Sequence, residues 1–259
     1  MEVVQYTERD DIAVVTLNHG ITNAINTQVM REFSEILRKS KENASVRGVV
    51  ITSANSKFFS IGFDLPEVYP FSQKEFAAFF HRYNLLCLDL YTFPKPVISA
   101  ITGHATAGGC IIALCTDFRL MAEGRGVIGV NEAKLGLPVT SLADVLLRDL
   151  IGGPLARDVI CRGDLYSPEA GLRMGMIDEV LPLEEVVPAA VKKSSDLVAV
   201  SPAAFALGKA YRVRTNATQV RTTMEEDEEG FLRQWFSPAA RQQLGEALKQ
   251  YAPRGDGNG

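Results

Sequence analysis

Apolar positions along the chain switch repeatedly between two spacings. MEVVQYTERDDIAVVTLN places Val, Ile, Thr and Tyr on both sides of a polar break at Glu8 to Asp11, which predicts two strands joined by a turn. From Thr27, read as an N-cap, Met30, Phe33, Ile36 and Leu37 recur at helical spacing, and VRGVVITS then supplies a short run suited to a fully buried strand. Ser72 with Glu75 three residues on forms a capping box, so SQKEFAAFFHRYNLLCLDLYTF is predicted to be a helix with Phe76, Phe79, Phe80 and Tyr83 on one apolar face. PVISAIT, DFRLMAE and GVIGV read as further strands, and from Pro138 the chain is mostly helical. Helices are expected near 183–199, 202–213, 217–235 and 238–250, forming a lid or an oligomer contact. Repeated strand-then-helix units followed by a helical end predict the α/β class.

Composition narrows this without changing it. A chain of 259 residues, 46% hydrophobic, is long enough to bury a full core in one large domain, or one domain with a small appendage. Its net charge of −4 is modest and its 27 basic residues are scattered, so nothing points to nucleic acid. Three histidines and four cysteines lack metal-site spacing, and the cysteines, Cys87, Cys110, Cys115 and Cys161, read as buried free thiols of a reducing compartment. Strand sequence begins at once and no long membrane run follows, so a cytoplasmic location is expected. PRGDGNG at the end reads as disordered, and EEDEEG, Glu225 to Gly230, as a solvated helix face.

Three features bear on chemistry. Gly108 and Gly109 stand directly before the apolar run CIIAL, where the first backbone N–H groups of a helix have no internal partner and are free to polarise a carbonyl oxygen. Taken alone, the pair fits tight helix–strand packing better than it fits a ligand site. KFFSIGFDL follows the buried strand VVITS, at the strand edge where open α/β folds expose backbone to ligands, although Ser, Gly and Asp also mark ordinary turns. Glu132, in GVNEAKLGLP, is an acid just after an apolar strand; most such residues are solvated helix starts. Cys110 at the helix start has no histidine placed to serve as its base and reads as core, His104 as a packed structural histidine, and Asp64 as a residue that fixes its own loop.

Together, FFSIGFDL, ITGHATAGGCIIALCTDFRLMAE, IGVNEAKLGLP and INTQVMREF resemble the enoyl-CoA hydratase/isomerase, or crotonase, family over roughly residues 1–185. The resemblance implies a crotonase-like spiral of ββα units over residues 1–195, with a helical trimerisation region over 196–259 that builds a homotrimer or hexamer. It implies an acyl-CoA thioester as substrate, coenzyme A being part of that substrate and no separate cofactor, metal or membrane being required. Carried over by motif, the backbone amides of Ile61 and Gly108 hold the thioester oxygen and Glu132 is the acid/base. Ala24, Phe59, Ser60, Gly62, Phe63, Asp64, Leu65, Gly109 and Asn131 are the implied substrate contacts. Hydratases of the family carry a further glutamate where this chain has Ile111, because adding water requires both an activated water and a delivered proton. A single base beside a dry pocket suits moving a double bond from position 3 to position 2, in fatty acid β-oxidation or related acyl-CoA metabolism, and NEAKLG with GGCIIAL looks like the isomerase branch. The alternatives are a hydratase or thioester hydrolase recruiting Asp144 or another acid, and a catalytically silent acyl-CoA binding member of the fold.

Overall fold

The computed structural model describes residues 2–199 and 201–249. In chain order the elements are β1 (Val4–Arg9), β2 (Ile12–Leu17), α1 (Thr27–Glu42), β3 (Gly48–Ser53), β4 (Phe58–Ser60), α2 (Leu65–Val68), α3 (Gln73–Tyr91), β5 (Val97–Ile101), β6 (His104–Thr106), α4 (Gly108–Leu114), β7 (Phe118–Ala122) and β8 (Ile128–Gly129). A single 3₁₀ turn (Glu132–Leu135) leads to α5 (Ser141–Ile151), α6 (Gly153–Arg162), α7 (Pro168–Met174), β9 (Glu179–Leu181), α8 (Leu183–Leu197), α9 (Pro202–Trp235) and α10 (Pro238–Lys249).

Two sheets organise these elements. A six-stranded sheet runs in the order β1-β2-β3-β5-β7-β9, parallel except for the opening hairpin, where Asp10 and Asp11 take the positive φ of the predicted turn. A smaller parallel sheet, β4-β6-β8, lies beside it. Strand β3 is buried along its whole length, as its unbroken apolar run requires for a parallel strand covered on both faces. One face of the large sheet carries α8, through Val186, Ala190 and Val191 against Val14, Val50 and Ile98. The other face supports the main core, where α1 and α3 pack.

Three expectations shift. The cap of α1 is Asn26 rather than Thr27: its extended backbone leaves the side chain free to accept the Val29 N–H at 2.8 Å. The predicted helices 202–213 and 217–235 are one helix of 34 residues, because Arg214 to Ala217 contains no residue that breaks the ladder and Asn216 turns its amide outward to Asp149 and the Tyr91 hydroxyl. Within EEDEEG, Glu228 is not merely solvated: it accepts from Asn84 at 2.9 Å and meets His81 Nδ1 at 3.0 Å, tying α9 to α3. The Ser72–Glu75 capping box is present in both directions. PRGDGNG lies outside the described residues.

Near its N-terminus α9 is pinned to the sheet by a buried ion group. Lys209 meets Asp117 Oδ2 at 2.6 Å and Arg212 meets Oδ1 at 2.6 Å, while the Val97 N–H donates to Oδ2 at 2.9 Å. The buried carboxylate is thus satisfied on both oxygens, the condition under which such a group is tolerated.

Candidate active site

The small sheet delivers three chain segments to one edge. Strands β4, β6 and β8 are parallel neighbours, with Ser60 opposite Ala105 and Thr106 opposite Gly129. Ile61 directly follows the end of β4, Gly108 follows the end of β6 by two residues, and Glu132 follows the end of β8 by three. Carboxyl ends of adjacent parallel strands are where such folds form ligand crevices, and here they open on a cavity of about 290 Å³. Of the residues named from the sequence, Ile61, Phe63, Leu65, Gly108, Ile111, Asn131 and Glu132 line it.

Glycine requirements at this edge are geometric. Gly62 has φ +91°, and a side chain there would put Cβ 2.9 Å from the Gly108 nitrogen. Gly109 packs on β4 so closely that a Cβ would lie 2.3 Å from the Ser60 carbonyl oxygen. Gly109 therefore serves the packing role that either glycine alone was able to fill. Gly108 does something else: among the described residues its N–H has no protein partner, and its carbonyl accepts from the Tyr83 hydroxyl at 2.8 Å. Ala107 turns that peptide, adopting φ +47° and ψ −130°. This is a costly conformation for an L-residue, on the order of 1–3 kcal/mol. It is held by the Ala107 N–H on the Gly129 carbonyl and the Ile111 N–H on the Ala107 carbonyl, both at 3.0 Å.

The second named amide is engaged. The Ile61 N–H donates to the Thr22 carbonyl at 3.3 Å, a long contact for such a pair. A bulge in β4, where Phe58 and Ser60 face consecutive residues of β6, sets the direction in which the chain leaves the strand.

Glu132 opens the 3₁₀ turn, which Gly136 closes with φ +71°, and the Leu137 N–H returns to the Glu132 carbonyl at 3.0 Å. Its side chain is buried, the residue being 7% exposed, and Oε2 has no hydrogen-bond partner. Burial pushes its carboxyl up from the usual carboxylate range to about 7. The Asn131 Oδ1 beside it is likewise buried and unpaired. Orphaned buried polar atoms are scarce in folded proteins, and two adjacent ones at a cavity mark a place for a ligand. Among the described residues Glu132 is the single acid on the cavity wall; Ile111, 2% exposed, faces the same space with an apolar side chain.

The remaining named residues do not line the cavity. Ala24 and Phe59 are buried, and the Ser60 hydroxyl donates to the Asn23 carbonyl at 2.8 Å. Asp64 caps α2 with its carbonyl, which accepts from Glu67 and Val68, and burial raises its carboxyl. Cys110 is fully buried and burial drives its thiol upward, away from the thiolate; Cys87 and Cys115 are buried as expected, whereas Cys161, near the end of α6, is exposed. His104 sits outside the cavity against Phe58, ring centroids 5.2 Å apart. Asp144 pairs with Arg148 at 2.8 Å on the exposed face of α5 and does not reach the cavity.

Sequence reading missed the cavity's other half. Tyr83 and Phe80 of α3, Phe231 and Trp235 of α9 and Leu244 of α10 close it. The signal was there in part: Phe76 and Phe80, like Phe231 and Trp235, sit four residues apart, so two antiparallel helices stack them in two rungs. Phe76 lies on Trp235 and Phe80 on Phe231, each pair with centroids 4.0 Å apart.

Fold and site thus define a class: an α/β protein whose parallel strand ends hold an unpaired backbone amide beside one buried carboxyl group, under a helical cover. A solved structure, that of human mitochondrial delta3-delta2-enoyl-CoA isomerase, superposes with a TM-score of 0.92 at 28% identity, covering 96% of this chain and 98% of that one. The mitochondrial enoyl-CoA delta isomerase 1 of Mus musculus is 35% identical over 176 residues, which span 68% of this chain and 61% of the mouse protein. A short-chain-enoyl-CoA hydratase of Clostridium acetobutylicum is 28% identical over 221 residues, 85% of this chain and 84% of that protein. The family model Enoyl-CoA hydratase/isomerase matches residues 7–258. This chain belongs to that family.

Proposed function

We propose that the protein is an enoyl-CoA isomerase that converts a 3-enoyl-CoA to the 2-trans isomer. The observation that carries this reading is the lone carboxyl group on the cavity wall: Glu132 faces it and Ile111 occupies the apolar side. The thioester oxygen accepts from the free Gly108 N–H and from the Ile61 N–H, which exchanges its long contact with Thr22 for a developing negative charge, a stronger acceptor. Ionised Glu132 takes a proton from C2, the pair of amides holds the dienolate, and the same carboxyl returns the proton at C4. A base whose pKa lies near neutrality serves both transfers, as acid/base efficiency requires. Hydration needs a second polar group to hold and activate water, and no other acid lines the cavity among the described residues. The same reading carries a cytoplasmic trimer or hexamer, with coenzyme A entering only as part of the substrate; exposed Leu207 and Tyr211 on α9 support a contact between copies.

The test is product analysis by mass spectrometry and chromatography after incubation with trans-3-hexenoyl-CoA and, separately, trans-2-hexenoyl-CoA. The expected product of the first is the 2-isomer, and Glu132→Gln lowers its formation at least about a hundredfold. A 3-hydroxyacyl-CoA or free CoA as main product overturns the proposal.

A further inference from the structure

Two cavities meet at a wall whose bulk is one pair of rings. The active-site cavity of about 290 Å³ and a more open groove of about 660 Å³, between α9 and the segment 136–142, share Phe80, Phe231, Leu137 and Thr140 as lining residues. A residue that lines both sides of a boundary is the boundary. Phe80 and Phe231 stack with centroids 4.0 Å apart and planes 20° from parallel, and both are buried. Behind them the Phe76–Trp235 rung, at 4.0 Å and 16°, keeps α3 and α9 from sliding. Beyond the rings the groove has an apolar floor of Val139, Leu142, Val220 and Met224 and a polar rim that includes Glu226 and Arg233.

We propose that the Phe80–Phe231 pair is an acyl chain-length stop: it confines the substrate chain to the inner cavity and shuts it out of an apolar-floored groove suited to a longer tail. This rests on the acyl-CoA reading of the site. The inner cavity holds roughly ten units the size of a water molecule at ~30 Å³ each, so thioester and chain together are short to medium in length. Each methylene that finds an apolar seat gains about fourfold in affinity, and one left in water gains nothing. Wild type therefore binds better as the chain grows to the ring pair and gains little past it. Opening the pair gives the later methylenes their seat.

The experiment measures binding of saturated hexanoyl-CoA and hexadecanoyl-CoA by titration calorimetry, alongside turnover of 3-enoyl-CoA substrates of the same lengths. Phe231→Ala should raise the ratio of long-chain to short-chain affinity at least about tenfold. Phe231→Leu and Phe80→Leu, which retain more volume, should move it in the same direction and are read in place of Phe231→Ala if circular dichroism shows that variant misfolded. Phe76→Leu loosens the same aromatic stack but borders neither cavity, and should leave the ratio within about twofold. An unchanged ratio in folded Phe231 and Phe80 variants overturns the stop, as does an equal rise in Phe76→Leu. A shifted binding ratio without turnover of any 3-enoyl-CoA by wild type supports the stop and removes the isomerase reading instead.

Discussion

Replacing Glu132 by Gln should remove a loss of stability that wild type suffers as pH rises, while disabling the protein. The carboxyl is buried, one of its oxygens has no partner, and its pKa stands near 7 against 4.5 for a free glutamate. The folded state therefore holds its proton more tightly than the unfolded state. Below the unfolded value both states carry the proton, and the glutamate imposes no ionisation penalty on folding. As pH rises from there toward 7 the unfolded chain ionises first, and stability falls by about 1.4 kcal/mol per unit. Above 7 both forms are ionised and the loss levels off at about 3 kcal/mol. Glutamine does not titrate, so whatever its amide costs in packing or hydrogen bonding is the same at every pH. The difference in unfolding free energy between variant and wild type, from urea melts at steps between pH 4 and 9, should thus grow by about 3 kcal/mol in favour of the variant. In parallel, wild-type turnover should rise with pH through about 7 as the base ionises. A stability difference that stays flat across this range would refute the burial argument, and a flat rate profile would remove Glu132 as the base.

Gly109→Ala should cost about 3 kcal/mol or more, read as a lowered urea midpoint, because its Cβ meets Ser60 backbone rather than a side chain able to move. Tyr83→Phe removes the 2.8 Å bond to the Gly108 carbonyl, and should lose about 1 kcal/mol of stability. Its kcat should fall about tenfold with KM nearly unchanged, since the loss falls on the orientation of the amide rather than on the chain's apolar seat.

What the sequence disclosed about this site depended on whether the cause was local. The β3 run and the Ser72–Glu75 box are short-range signals, and both stand as read. Gly108 and Glu132 by position alone read as a packing glycine and a solvated helix start; their roles came from the resemblance of the surrounding motifs, and pairing of parallel neighbours brings their strand ends together. Asn26 and Thr27 are both good caps, and a decision of one residue between them rests on backbone angles that a letter string does not carry. Tyr83 was recognisable as part of an apolar face, but its bond to Gly108 requires the distance between α3 and α4, which is tertiary. The same holds for Phe231 and Trp235, whose spacing marks a helix face without saying what it covers. Strand β9 is three residues long and borrows its conformation from β7, so it left no period to read.

Part of the cavity's cover is also separated from the rest in time. Ile61, Gly108 and Glu132 are all synthesised before the α9 and α10 part of the cover, and Phe231 leaves the ribosome about a hundred residues after Glu132, an interval on the order of ten seconds at typical elongation rates. Throughout that interval Phe76 and Phe80 have no Trp235 or Phe231 to lie against, and the nascent chain carries an aromatic trough open to water. Such a surface recruits chaperones, and recruits other unfinished chains where chaperones are scarce. A premature stop anywhere between α8 and Phe231 makes that transient surface permanent. Truncations there should therefore be lost to aggregation and proteolysis even though both sheets and all three strand-end residues of the site are already encoded.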